Sequence, residues 1–433
     1  MNLLRFFPAV CCLTLLTACS QQINGQKNPP AQIEAGFVKP DITSLSDPEL
    51  RDYADELAHR FIITDGHVDL PYRLTTRFFK LYREYVGIPV ESKEGDFDYV
   101  RAKKGGLDAP FMSIYIPSEY QKTGGAKAYA DSLISMVEKI VTEHSDKFAL
   151  AGSPDEIEAN FKNGKISLPM GMENGAPIQK LDDVDYYFKK GIRYITLTHS
   201  KDNKICDSSY DTAHTNGGLS KYGKKVVKEM NRAGIMVDIS HVSDSAFYQV
   251  LRTTKAPVIA SHSSCRKFTP GWQRNMSDEM IKALAKNGGV IHINFGTTFL
   301  DSGIKKSAEK LRGEMREMLV AKGLKEDEEA AKPVIEQFKK EHEKELYADL
   351  EIVANHIDHV KKLVGVNHIG FGSDFDGVGD SLPTGLKDVS MYPNLIYTLL
   401  KRGYTEEDIA KICYQNTFRV WREVENVAKQ LQK

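Results

Sequence analysis

The 433-residue chain has no excess of charge of either sign, because 58 Lys and Arg residues oppose 59 Asp and Glu residues. Nucleic-acid binding draws on a cationic surface that releases counterions, so this balance argues against a nucleic-acid partner. Glycine and proline, at 32 and 17 residues, are near average usage, which excludes fibrous and low-complexity classes. With 41% hydrophobic residues the chain can build a large globular core.

Cysteine is also scarce. Three of the six, Cys11, Cys12 and Cys19, fall in the N-terminal segment, which leaves Cys206, Cys265 and Cys413. An odd number allows at most one disulfide, and no pair has CxxC spacing. The sequence therefore predicts neither a disulfide scaffold nor a cysteine zinc site, and these three side chains are expected to pack in the core.

The only long apolar run lies at residues 6–16, directly after Arg5. It is too short to span a bilayer and has the length of a signal-peptide core. It ends at Leu16-Thr17-Ala18-Cys19, which resembles a bacterial lipobox in which the cysteine becomes the lipidated first residue. We therefore predict a signal peptide at 1–18 and lipidation of Cys19, the alternative being an ordinary secretory peptide cleaved after Ala18.

Residues 19–40 are rich in Gln, Asn, Pro and Lys and lack apolar periodicity, which predicts a flexible tether. Under either interpretation of the N-terminus, the chain is exported from the cytoplasm. We expect a lipid-anchored protein of the bacterial cell envelope that faces the periplasm or the cell exterior, with a single folded domain over 41–433.

Within that domain, apolar and β-branched runs alternate with helix-compatible stretches. The eight runs are 61–68, 111–116, 166–172, 193–198, 235–239, 257–260, 289–294 and 368–372. The helical stretches include 126–148, 181–190, 219–233, 244–254 and 277–286. This α/β alternation predicts a (β/α)8 TIM barrel or a doubly wound open sheet.

Ionisable residues follow the ends of these runs, and their positions favour the barrel. Barrel enzymes assemble their sites at the carboxyl ends of the strands, whereas an open sheet would scatter the outermost residues. The residues are His67, Asp69, Glu173, His199, His241, His262 and Asp374. We expect a helical lead-in at 41–59 and C-terminal helices over 385–433.

The connection at 301–364, before the last strand, is long and dense in Lys and Glu. Intermixed charge at helical spacing is typical of solvated amphipathic helices, and we expect a pair of them. A lid or a subunit contact is the alternative.

The strand-end residues have the chemistry of a metal centre. Residues two apart in a strand point to the same side, so His67 and Asp69 can reach one metal. Glu173 has two carboxylate oxygens and can bridge two cations, and His241 and His262 supply imidazoles for the second. We therefore predict two zinc ions, one held by His67, Asp69 and Glu173 and the other by Glu173, His241 and His262.

The sequence offers weaker candidates for further metal ligands. They are His292, in a strand, and His214, in a loop, although a single histidine is as often a structural residue. Asp65 shares the parity of His67 but lies lower in its strand, which favours a packing or supporting role.

The ordered motifs resemble the membrane dipeptidase (renal dipeptidase) family of zinc peptidases. They are Asp65-Gly66-His67-Val68-Asp69-Leu70-Pro71, Gly171-Met172-Glu173, Leu197-Thr198-His199-Ser200, Asp238-Ile239-Ser240-His241, Ser261-His262-Ser263-Ser264 and Gly370-Phe371-Gly372-Ser373-Asp374-Phe375-Asp376-Gly377. The resemblance implies an amidohydrolase-type barrel that cleaves dipeptides, including those with a C-terminal D-residue, by a hydroxide bridging two zinc ions. It assigns the metals to the same five residues.

The resemblance also implies roles for three further residues. His199 matches the substrate-binding histidine, which polarises the scissile carbonyl and stabilises the oxyanion. Arg274 matches the clamp for the dipeptide's carboxylate, with Arg266 as a nearby competitor in a loosely aligned segment. Asp374 matches the catalytic acid/base, and Asp376 is expected to be structural. The family also suggests a homodimer.

Two departures from the animal enzymes of this family are visible, namely the longer 301–364 connection and an anchor at the N-terminus instead of the C-terminus.

Two other functions remain open: an amidohydrolase acting on another small amide, lactone or ester, and a non-catalytic lipoprotein that binds peptide or metal.

Overall fold

A computed structural model describes residues 41–75 and 88–433. The chain divides into two units, Met1–Ser44 and Leu45–Lys433. The described part of the first unit holds one 3-10 helix, Ile42–Ser44. The predicted signal peptide, the lipidation site Cys19 and the tether lie outside the described residues and stay predictions.

Eight parallel strands of the second unit close into a barrel. The barrel strands are β1 Ile63–Val68, β2 Leu107–Tyr115, β5 Met170–Glu173, β6 Ile192–Thr196, β7 Met236–Asp238, β8 Ile259–Ser263, β9 Val290–Ile293 and β10 Ile369–Phe371. Their order around the barrel is β1-β10-β9-β8-β7-β6-β5-β2. This closed sheet confirms the predicted (β/α)8 barrel and excludes the doubly wound open sheet.

One predicted strand, 166–172, is divided in the structure. Its first half is β4, Ile166–Leu168, which pairs with β3, Phe148–Leu150, outside the barrel. Pro169 separates β4 from β5: it has no N–H to donate, and its carbonyl accepts a hydrogen bond of 2.8 Å from Met112 N of β2. The helix predicted over 126–148 is too long. The helix in the structure ends at Glu143, and Phe148 belongs to β3.

Helices connect the strands, and several begin at a serine whose side chain accepts a backbone N–H, such as Ser220, Ser243 and Ser277. The helices up to β10 are α1 Asp47–Arg60, α2 Leu70–Arg73, α3 Tyr99–Gly105, α4 Tyr120–Thr123, α5 Ala126–Glu143, α6 Pro154–Lys162, α7 Asp182–Lys189, α8 Lys221–Ala233, α9 Asp244–Thr253, α10 Asp278–Lys286, α11 Thr297–Leu300, α12 Ser302–Ala321, α13 Lys332–Glu341, α14 Glu343–Leu346 and α15 Leu350–Val364. The expected lead-in helix is α1.

The predicted C-terminal helices are α16 Tyr392–Lys401, α17 Glu406–Ala410 and α18 Asn416–Leu431, with a π-helical turn at Lys411–Gln415. Helix α18 packs Phe418 and Trp421 against Phe111 and Tyr194 of the barrel strands. Since Trp421 and Tyr194 are fully buried, this contact is part of the main hydrophobic core.

The 301–364 connection contains four helices, so the expected solvated pair is wrong. Helix α12 buries Leu311 and Met315, whereas α13 buries no residue. Helix α15 buries Ile357 and Val360 and packs against β9 and β10 as a regular outer helix of the barrel. Among the residues that the structure describes, no helix is both long and apolar enough to cross a membrane.

Candidate metal centre and active site

The five predicted metal ligands converge at the carboxyl ends of four barrel strands, although the chain spreads them over about 200 positions. Glu173 lies at the centre of the cluster. Its Oε1 is 3.1 Å from His241 Nε2 and 3.2 Å from His262 Nε2, and its Oε2 is 3.5 Å from His67 Nε2. His67 Nε2 is also 3.4 Å from Asp69 Oδ2. The structure therefore brings all five together.

His199 and Asp374 join the same cluster. His199 Nε2 is 3.7 Å from Glu173 Oε1. In the part of the chain that the structure describes, three groups have ligand atoms within 4.8 Å of one another: His67, Glu173 and His262; Glu173, His199 and His241; and His67, Asp69 and Asp374. Glu173 and His67 each belong to two groups, an arrangement with room for more than one ion.

Backbone conformation at the strand ends positions several of these side chains. His241 and Asp374 have φ angles of 67° and 63°, in the left-handed region that non-glycine residues rarely occupy. Such strain persists where the surrounding structure enforces it, and it concentrates at functional sites. Gly377 lies so close that a Cβ there would be 2.1 Å from Asp69 Oδ2 and 2.4 Å from Asp374 Oδ1.

Buried hydrogen bonds orient His262. Ser261 Oγ donates to Asp238 Oδ2 at 2.6 Å and lies 2.7 Å from His262 Nδ1. Because the hydroxyl has one proton, which it gives to Asp238, it accepts from Nδ1–H of His262. The Nε2 lone pair of His262 is thereby left to face Glu173, as a metal ligand requires.

Tyr194 plays the equivalent part for His67. Its hydroxyl oxygen lies 2.9 Å from His67 Nδ1, and both side chains are fully buried. A proton on Nδ1 would be donated to this hydroxyl, and His67 Nε2 would then be the free ligand atom.

Burial and charge keep His241 and His262 in the neutral, ligand form. His67 differs, because Tyr194 and the carboxylates of Asp69 and Glu173 raise its pKa well above its usual range in spite of its burial. Burial, with the nearby Arg274 guanidinium, holds the pKa of His241 well below its usual range. Burial, with His67 and Arg274, lowers the pKa of His262 to about 3. Burial and the Asp69 carboxylate raise the pKa of Asp374 to about 7, near the value at which a carboxyl group can both accept and return a proton.

The donor set fits a bound metal. His67 Nε2 and Asp69 Oδ1 are buried and have no hydrogen-bond partner among the described residues, although unsatisfied polar atoms are costly in a protein interior. Imidazole nitrogens and carboxylate oxygens together suit zinc and related divalent ions. A cation bound among these ligand atoms would give both His67 Nε2 and Asp69 Oδ1 a partner.

The cluster forms one wall of a cavity of about 460 Å³. His199 lines it with its ring at 4.7 Å, edge to face, from Tyr115. The described residues that line the cavity are Asp69, Tyr72, Tyr115, Glu173, His199, Tyr210, His241, His262, Thr298, Phe299, Arg312, Asp374, Asp376, Gly377, Val378 and Ser381.

The two candidate arginines have different surroundings. Arg274 is buried beside the cluster, donating to His262 O at 2.6 Å and to Ser263 Oγ at 2.8 Å, with its Nη2 also 3.1 Å from His241 Nε2. It does not belong to the cavity lining. Arg266 instead forms a bidentate pair with Asp244 at 2.7 and 2.6 Å, which leaves Arg274 as the arginine next to the site.

The remaining sequence candidates lie apart from the cluster. His292 is buried against Ala260 O and Thr417 Oγ1, at 3.0 Å from each. Asp65 accepts the backbone N–H groups of His67 and Ser373, as expected of a supporting residue. His214 has a left-handed φ of 48° and belongs to none of the metal-binding groups among the described residues.

Sequence reasoning missed Tyr194, Asn294 and Arg312. Asn294 donates to Asp374 Oδ2 at 2.8 Å. It directly follows β9, so the rule that found the other strand-end residues could have found it. Tyr194 looks like an ordinary aromatic core residue, and Arg312 lies in a helix whose charges resemble a solvated surface.

A closed parallel barrel with a carboxylate and imidazole cluster at its strand ends defines a metal-dependent hydrolase. The family model of membrane dipeptidase (Peptidase family M19) matches residues 51–433, and the chain belongs to this family. It is therefore a metal-dependent dipeptidase, a hydrolase of peptide bonds, as the resemblance implied.

Individual relatives agree. The chain is 32% identical over 377 residues to Dipeptidase tcpJ of Claviceps purpurea (strain 20.1), covering 84% of this chain and 77% of that protein. The crystal structure of the probable dipeptidase PvdM from Pseudomonas aeruginosa is 27% identical, with a TM-score of 0.72 over 88% of this chain and 100% of that one. A metallo peptidase from Rhodobacter sphaeroides, liganded with a phosphinate mimic of the dipeptide L-Ala-D-Ala, shares the fold at 24% identity, with a TM-score of 0.68 over 84% and 99% of the two chains.

Proposed function

We propose that this dipeptidase uses two zinc ions to hydrolyse dipeptides, including those with a C-terminal D-residue. The observation that carries the proposal is the position of Glu173, whose two oxygens face different histidines. Oε1 lies near His241 and His262, and Oε2 lies near His67. A bridging carboxylate is what a two-metal hydrolase requires.

In this proposal His67, Asp69 and Glu173 hold one zinc, and Glu173, His241 and His262 hold the other. When bound, the metal ions would supply Lewis acidity and lower the pKa of the attacking water. The protein's own part is to fix the ligand atoms, through Tyr194 behind His67 and Ser261 behind His262.

Asp374 is the acid/base. Its buried carboxyl group lines the cavity, and Asn294 holds its Oδ2, so the other oxygen, Oδ1, can face the reacting water. It takes the proton that the water loses and gives it to the amine that leaves. A carboxyl group whose pKa is raised to about 7 by burial and Asp69 can serve in both directions.

His199 and Arg274 bind the substrate. The ring N–H of a neutral His199 can donate a hydrogen bond to the scissile carbonyl oxygen, and burial lowers the pKa of His199 and so favours the neutral form. Arg274 would take the terminal carboxylate with its planar guanidinium. Although Arg274 does not itself line the cavity, its Nη2 is 3.1 Å from Nε2 of His241, which does. Its Nε is buried without a hydrogen-bond partner in the described part of the chain, so this donor is unused in the substrate-free protein.

Acceptance of a C-terminal D-residue is supported by the Rhodobacter sphaeroides relative, whose bound ligand mimics L-Ala-D-Ala. The test is hydrolysis of paired L,L and L,D dipeptides by the chain without residues 1–19, with bound metal measured on the same sample. Turnover of both series, two zinc ions per chain, and loss and recovery with chelator and zinc are expected. Metal binding without dipeptide cleavage would instead favour another small amide, lactone or ester as substrate, or a non-catalytic binder.

We also propose that the mature chain is anchored by lipid at Cys19 to the envelope of a bacterial cell, facing the periplasm or the exterior. The support is the lipobox-like Leu16-Thr17-Ala18-Cys19 after the apolar run at 6–16. Labelling with a radioactive fatty acid should mark the wild type and not Cys19→Ser. If neither the wild type nor the variant is labelled, the remaining interpretation is an ordinary secretory peptide that is cleaved after Ala18. The homodimer stays a prediction from the family, to be checked by sedimentation equilibrium.

A further inference from the structure

Arg312 differs from the other charged residues of the cavity wall. Apart from histidines, it is the one cationic side chain among the described residues that line the cavity. The acidic side chains there include Asp69 and Glu173 of the metal cluster, whereas Arg312 comes from α12, in the long 301–364 connection. This connection therefore contributes a positive charge to the substrate cavity.

The Arg312 guanidinium is held in place but retains free donors. Its Nη2 donates to Asp380 O at 2.8 Å. Within the described ranges its other nitrogens make no hydrogen bond, and no carboxylate lies within 4.0 Å of them. A half-buried guanidinium with unused, coplanar N–H groups is suited to a carboxylate from a ligand.

The position of α12 is set by packing, so Arg312 does not depend on a loose surface helix. Leu311 and Met315 are buried beneath the helix. Lys305, seven residues before Arg312, lies on the same face, and its Nζ is 4.3 Å from the centre of the Trp272 ring. Trp272 in turn stacks at 5.2 Å on Phe299 of the cavity wall. This face of α12 therefore places two positive charges, those of Arg312 and Lys305, beside this part of the cavity wall.

We propose that Arg312 is a specificity-determining residue, which selects dipeptides with a side-chain carboxylate, Asp or Glu, over the corresponding amides. The proposal rests on the proposed dipeptidase function, in which Arg274 takes the terminal carboxylate and leaves Arg312 for a second one. Partial exposure limits the strength of such a pair to about 1 kcal/mol, which corresponds to about a five-fold preference.

The test compares kcat/KM for Ala-Glu with Ala-Gln, and for Glu-Ala with Gln-Ala, so that either position of the acidic residue is covered. The wild type should prefer the acidic member of one pair by about five-fold. Arg312→Met should bring that ratio close to one while the rates for the amides change little, and Arg312→Lys should retain part of the preference. Added salt should also lower the wild-type ratio.

Arg316→Met is the matched control, because Arg316 lies one turn further along α12, is exposed, and has its Nε 3.9 Å from Glu326. It should leave the ratio unchanged. Any of three results would overturn the inference. They are a wild-type kcat/KM ratio of one, a wild-type ratio that is unchanged in Arg312→Met, and an equal loss of kcat/KM for acidic and neutral dipeptides in both Arg312 variants. Failure of the wild type to cleave any of these dipeptides would instead count against the proposed function.

Discussion

Asp238 accepts a hydrogen bond of 2.6 Å from Ser261, and this buried pair orients His262. Asp238 also accepts the backbone N–H groups of Ser240 and Ser261, at 3.0 and 2.9 Å, so its carboxylate is fixed from several directions. The imidazole that would hold a metal is therefore positioned by a residue on the preceding strand.

Removing the hydroxyl between them should weaken metal binding. In Ser261→Ala, His262 Nδ1 loses its partner and the ring is free to rotate or change tautomer, so the affinity for zinc should fall about 10- to 100-fold. Competition with a chromophoric chelator measures this. Ser113→Ala is the control, since Ser113 Oγ is buried without a hydrogen-bond partner in residues 41–75 and 88–433. Equal affinities in both variants would contradict the positioning role.

The same reasoning applies to Tyr194 behind His67. Tyr194→Phe keeps the ring, which packs in the main core, and deletes only the hydroxyl at 2.9 Å from His67 Nδ1. We expect about 10- to 100-fold weaker zinc binding with little change in the thermal unfolding midpoint of the metal-free protein. Tyr187→Phe removes a buried hydroxyl that has no hydrogen-bond partner within the described ranges, and it should leave zinc binding as it is.

Asp374→Asn should separate chemistry from metal binding. The amide cannot carry the proton from water to the leaving amine, so kcat should fall by a factor of about 100 to 10,000 while zinc content is kept. Asp52→Asn, on the exposed face of α1, is the control for loss of one carboxylate. If Asp374→Asn kept its activity, or lost its zinc together with its activity, the acid/base assignment would be wrong.

Gly377 is expected to tolerate no side chain. A Cβ there would lie 2.1 Å from Asp69 Oδ2 and 2.4 Å from Asp374 Oδ1, so Gly377→Ala must displace one or both carboxylates. Activity and zinc content should both drop. Gly313→Ala, in α12, meets no atom within 4 Å and should behave as the wild type. Normal zinc content in Gly377→Ala would show that the carboxylates can move without cost.

The sequence predicted the barrel and its cluster because parallel strands bring their carboxyl ends together, so His67, Glu173, His241 and His262 could be related without coordinates. It did not predict the division at Pro169, since the apolar run continues on both sides of the proline. That residue was the available signal, because proline rarely occurs inside a central strand.

The supporting residues were harder to predict. Tyr194 and Ser261 have no spacing that distinguishes a partner of histidine from an ordinary core residue. Arg312 was misjudged for a different reason. Intermixed Lys and Glu are typical of a solvated helix, and only the structure shows that α12 buries Leu311 and Met315 and places Arg312 in the cavity wall.

The most direct test of the two-metal account is a titration of the metal-free chain with zinc, in which dipeptide hydrolysis and bound zinc are followed together. We predict that activity reaches its maximum at two zinc ions per chain, and that Glu173→Gln, which weakens both sites at once, prevents this. Full activity at one zinc per chain, or full activity without metal, would contradict the account.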